Sequence, residues 1–201
     1  MHKYIQQRNQ TGIITNKKHI IKYFNNFCIL KAKENGYTIV PEIIDYKNIM
    51  IKKEYKGQRI YSIYYYKNTN FLANYDKSDN HLRLNMFCLL DNLSNDININ
   101  DINFLKILYH ELEHQKQIFN PTDVIVDNLK SIKNNYNNYL FNHDYYEMEI
   151  DANLKAYQNI KNDIFNEQIT RLYDYLPLIE EKINIEENKR LDKRYKLINQ
   201  R

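Results

Sequence analysis

The sequence predicts an α+β fold: an N-terminal helix, a small and mostly antiparallel sheet, then a long helix that opens a helical C-terminal half. Three observations lead there. Between Tyr37 and Leu90, β-forming and apolar residues alternate or run together over short stretches, which is the pattern of strands. On either side of that region apolar residues recur at three- and four-residue spacing, the period of an amphipathic helix. The length, 201 residues, suits one domain with a proper core. The expected organisation is a single domain over residues 1–182 and a charged helical arm over residues 183–201.

From the N-terminus, Asn16 to Asn35 reads as a helix, with Ile20, Ile21, Phe24 and Cys28 apolar and Gly36 as its stop. Tyr37–Ile44 and Asn48–Lys53 are short strand candidates, and Lys56-Gly57 offers a hairpin turn before the β-rich stretch Arg59–Tyr66. Asn68 to Asn80 is polar enough for a loop, and Leu82–Cys88 alternates before it becomes fully apolar. Asp101 to Phe119 is helical, because Ile102, Leu105, Leu108, Tyr109 and Leu112 recur at helical spacing. Asn100 or Asp101 can cap it, and Asn120-Pro121 ends it. Thr122 or Asp123 caps a further helix, and Asn134 to Asn138 reads as a polar linker. Asp144 to Ile164 is the next helix. Beyond Asn166 the chain is charged and helical, interrupted at Pro177; from Ile183 to Arg201 it reads as a solvated helix or partner-binding arm. No internal repeat is seen.

The chemistry is concentrated in His110-Glu111-Leu112-Glu113-His114, an H-E-x-x-H motif. On a helix, positions i and i+4 lie one above the other, so both imidazoles can reach one metal ion. The Leu105/Leu108/Leu112 stripe lies on the opposite side and can dock on a core. Glu111 beside the pair supplies a carboxylate able to take a proton from water. Two histidines do not complete a catalytic site, which normally takes three protein ligands and keeps one position open.

Three downstream acids are candidates for the third ligand: Glu147, Glu149 and Asp151. Periodicity separates them. Glu149 shares a face with Ala152, Asn153, Ala156 and Ile160, whereas Glu147 and Asp151 point roughly the other way. The Glu149 face is small and mostly apolar, as a closely packed helix requires. A carboxylate there is costly unless a metal or another partner compensates it. Glu149 is therefore the expected ligand.

H-E-x-x-H followed by E-x-x-A-N resembles the zincin metallopeptidases whose third ligand is a glutamate on a later helix, the gluzincin type. Within these it is most similar to the ImmA/IrrE-like branch, in which an alanine follows three residues on, as Ala156 does here. The sequence carries Glu113 where that branch often has glycine, and Lys155 where an aromatic residue is usual. The resemblance implies a zincin-like domain, with His110, His114 and Glu149 as ligands of one zinc ion and Glu111 as catalytic base. It implies a peptide substrate laid along a strand edge, with Arg59–Tyr66 or Leu82–Leu89 in that part; Arg83 reads first as a surface arginine on the solvent face of its strand, with contact to the substrate as the other reading. The developing oxyanion needs a further donor, for which His143, Tyr145 and Tyr146 are the candidates. The expected function is thus a zinc-dependent metallopeptidase. The alternative is a regulatory or toxin-like protein of a mobile element, whose metal site is structural or vestigial and whose C-terminal arm binds a protein partner. Manganese, iron or cobalt suits the same ligands.

Composition narrows the remaining classes. No apolar run is long enough to span a membrane, and no hydrophobic segment follows the basic N-terminal residues, so a cytoplasmic location is expected, with non-classical release as the other route. Cys28 and Cys88 lie in apolar runs without C-x-x-C spacing and read as buried thiols. The 19 tyrosines and many lysines invite a nucleic-acid reading. The net charge of only +4 and its even spread argue against one.

Overall fold

The computed structural model describes residues 30–45, 58–65, 72–76, 80–85, 94 and 96–198. The chain forms two compact units, Met1–Leu105 and Lys106–Arg201, and its class is α+β.

In the first unit, residues 30–34 form a last helical turn. Gly36 ends it at φ +79, a left-handed conformation that glycine adopts without steric cost. The body of the expected helix before Leu30, the strand Asn48–Lys53, the turn Lys56-Gly57 and both cysteines lie outside the described residues. Four strands form one sheet: β1 (Tyr37–Asp45), β2 (Arg59–Tyr65), β3 (Ala73–Asp76) and β4 (His81–Asn85), in the order β1-β2-β4-β3.

The sheet corrects the expected pairing. β1–β2 and β2–β4 are parallel, and only β3–β4 is antiparallel. Residue periodicity reports which faces are covered and carries no information on strand direction. Burial gives the physical reason: His81, Leu82, Leu84 and Asn85 of β4 are all buried, so both faces are covered, as parallel strands require. Residues 46–58 supply a link of the length a parallel crossover needs. β3 occupies part of the segment expected to be a loop, where Asn80 (φ 54) makes the tight return into β4. In β1 the register shifts between Ile39 and Ile43, around Pro41, which has no N–H to give the ladder.

β2 and β4 are interior strands of this sheet. Within the described residues, Arg59–Tyr65 and Leu82–Asn85 therefore offer no free edge; the edges there are β1 and β3. Arg83 forms an ion pair with Asp76 at 2.9 Å.

Helix α1 (Ile97–Phe119) begins a turn earlier than the sequence indicates. Asp96 Oδ1 accepts from the Asn98 N–H at 2.8 Å, the geometry of an N-cap. Asn100 instead turns back on Ser94, accepting from its N–H and donating to its carbonyl. Leu105, Leu108 and Leu112 are buried as expected.

The second unit continues with α2 (Asp123–Asn134), α3 (Tyr136–Asn142), α4 (Glu147–Phe165) and α5 (Leu176–Ile198). Thr122 caps α2 by accepting from the Ile125 N–H. The expected polar linker proves to be mostly helix: Asn135 caps α3 by accepting from the Asn138 N–H at 3.1 Å. A 3-10 turn over His143–Tyr145 leads into α4, whose first N–H, on Glu147, donates to Asn128 Oδ1 of α2. Ala152, Ala156 and Ile160 of α4 are fully buried, and α5 packs along α4. Burying each large aliphatic side chain in this core contributes roughly 1.5–3 kcal/mol. Pro177 lies in the first turn of α5, where a missing N–H costs nothing. The position 182/183, expected as a boundary, falls inside this continuous helix. No helix among the described residues is long and apolar enough to cross a membrane.

Candidate metal centre

α1 and α4 bring the motif residues together. His110 and His114 project from one face of α1, their rings 4.5 Å apart and nearly perpendicular. Glu149 enters from the first turn of α4 and is 1% exposed. Its Oε2 lies 3.2 Å from His110 Nε2 and 3.2 Å from His114 Nε2. The three donor atoms all lie within 4.8 Å of one another. A third imidazole, His143 from the 3-10 turn, places its Nε2 3.3 Å from the same oxygen, with its side chain 44% exposed.

This arrangement fits a metal ion. Two donors about 2.0–2.1 Å from a tetrahedral zinc stand about 3.3 Å apart, close to the spacing found here. An oxygen has two lone pairs, yet three imidazole nitrogens crowd Glu149 Oε2, more than hydrogen bonding to that atom alone can satisfy. The buried group His110, His114 and Glu149 can hold a metal ion.

Two residues that sequence reasoning missed support the trio. Tyr139 of α3 donates from its hydroxyl to Glu149 Oε1 at 2.8 Å and packs its ring against His143 at 5.0 Å. The sequence carried no signal for it, because the Asn-rich segment around it read as a linker. Gln117 Oε1 accepts from His114 Nδ1 at 2.8 Å. Its signal was available: Gln117 lies three residues after His114, on the same helix face. By contrast, His110 Nδ1 is buried without a hydrogen-bond partner among the described residues.

Glu111 is buried, 8% exposed, beside the histidine pair. Lys106, one turn before His110 on the same face, is held below the ordinary lysine range by burial, which Glu186, Glu111, Glu149 and Asp144 partly offset. Of the two expected oxyanion donors whose side chains are described, His143 and Tyr146, it is His143 that is brought to Glu149. Tyr146 packs with Ile125 and Met148, and its hydroxyl accepts from Asn138. The Tyr145 side chain lies outside the described residues.

The charges of the trio are coupled. Burial opposes ionisation of Glu149, but hydrogen bonds from His110 and His114 outweigh it and hold the carboxyl well below the usual range. Burial dominates at His110 and keeps its pKa low. At His114 burial also acts downward, yet the hydrogen bond and charge of Glu149 prevail and raise its pKa to about 9. A folded-state pKa above the unfolded value stabilises fully below the unfolded pKa of about 6.5 and fades as the pH rises through the folded one. The metal-free protein is therefore expected to lose stability between about pH 6.5 and 9, by no more than about 3 kcal/mol. Thermal unfolding across that window checks this. A flat profile in metal-free protein would refute the coupling, and added zinc should flatten the slope by replacing the proton on His114.

Comparisons of the chain with protein-family models, with curated proteins and with solved structures each returned no match.

Proposed function

We propose that the chain is a zinc-dependent metallopeptidase of the zincin type, with His110, His114 and Glu149 as ligands and Glu111 as general base. The observation that carries this reading is the convergence of an H-E-x-x-H pair and a buried downstream glutamate whose Oε2 lies 3.2 Å from each imidazole Nε2. When bound, the ion would polarise a carbonyl and lower the pKa of water. Glu111 accepts the proton of the attacking water and returns it to the leaving amine. His143, partly exposed and close to Glu149, would donate to developing negative charge. Tyr139 holds the Glu149 carboxylate so that Oε2 faces the histidines.

One observation favours a second reading. If His143 serves as a fourth ligand, the coordination shell is closed and the ion is structural; the protein would then act by binding a partner.

Two measurements test the choice. Elemental analysis of purified protein should return about one zinc per chain. Peptide, ester and phosphoester mixtures are then offered with and without a chelator. Chelator-sensitive cleavage of peptides alone supports the peptidase. Bound zinc without turnover of any substrate supports the structural ion, and turnover unaffected by chelation would sink both readings.

A further inference from the structure

We infer that Gln117 orients His114 for metal binding and that Arg190, on α5, keeps Gln117 in place through Asp151, so that the C-terminal helix belongs to the metal centre. This rests on the metal-binding reading above. Gln117 is 4% exposed, and its amide nitrogen faces two acceptors: the Met148 carbonyl at 3.0 Å and Asp151 Oδ2 at 3.1 Å. A nitrogen held between two acceptors settles which way the amide faces. Its oxygen therefore points to His114, where Nδ1 must carry the hydrogen and Nε2 the lone pair offered to an ion.

The position demands one acceptor and two donors on a side chain of this length. Glutamine meets that demand; glutamate would set a carboxylate against a carbonyl and a second carboxylate. Asp151 is fixed in turn, because its Oδ1 accepts from Arg190 Nη2 at 2.7 Å. The same guanidinium donates from Nε to Glu147 Oε1 at 2.7 Å. A planar fork holds two carboxylates at a fixed spacing, whereas a lysine ammonium is a point charge with rotating donors that fixes neither. Gln117, Asp151 and Arg190 also line an open groove of about 410 Å³, so small solutes can reach the far end of the relay.

The test measures zinc affinity of the full chain by competition with a chromophoric chelator. Gln117→Met should weaken binding about 10- to 100-fold, the range seen when a ligand's orienting partner is lost. Arg190→Ala should weaken it about tenfold or less, being one step further removed. Arg190→Lys, which keeps the charge and the fold, should act in the same direction. The double variant Gln117→Met/Arg190→Ala should be no weaker than Gln117→Met alone, since residues acting in series do not add. Methylguanidinium should restore affinity to Arg190→Ala, and no restoration would overturn the part given to the guanidinium. Unchanged affinity in the single variants, or additive losses in the double one, would overturn the relay while the metal site stood. A wild type that binds no zinc, like His110→Ala beside it, would overturn the metal reading and the relay with it.

Discussion

Replacing Glu111 with glutamine is expected to remove peptide hydrolysis while leaving zinc content and fold intact. The substitution is nearly isosteric and alters one property, the ability to accept a proton. Glu111 is buried beside His110, where no other carboxylate of the motif can replace it: Glu113 lies two residues on and forms an ion pair with Lys116. Loss of a general base costs about 10²- to 10⁴-fold in rate, so turnover should fall by at least that range. The check is the rate on a substrate found by screening, with zinc measured in the same preparations. A Glu111→Gln variant as fast as wild type would exclude the proposed mechanism even if the metal were present.

Glu149→Ala should have the second large effect, on metal affinity. Its carboxylate oxygen lies 3.2–3.3 Å from His110, His114 and His143, and Tyr139 would lose its acceptor as well. Structural zinc sites bind with about 10–16 kcal/mol spread over four ligands, so one ligand accounts for a loss on the order of a hundred-fold or more. Glu113→Ala provides the contrast, since it removes a carboxylate of the same motif that pairs with Lys116 at 3.2 Å and does not belong to the clustered trio, and it should leave binding unchanged. Equal affinities of Glu149→Ala and wild type would place the third ligand elsewhere.

Parts of the site were legible because they depend on one short repeat. The i, i+4 spacing of His110 and His114 forms a ligand pair on any helix, and the same 3.6-residue period separates Glu149 from Glu147 and Asp151. In the structure Glu149 is 1% exposed among the histidines, while Glu147 and Asp151 turn to Arg190. Asp96 was overlooked as the cap of α1, because any of several adjacent polar residues can play that part.

The helix that carries the motif histidines, to within a turn at its start, the face that buries Leu105, Leu108 and Leu112, and the pairing of His110 with His114 were determined by the sequence alone, since each follows from local periodicity. Strand direction was decided only by tertiary structure, as were the arrival of Tyr139 at Glu149 and the path from His114 through Gln117 and Asp151 to Arg190. Those features join residues far apart in the chain. The polar side chains involved have several equally good local partners, and burial among particular neighbours selects one of them.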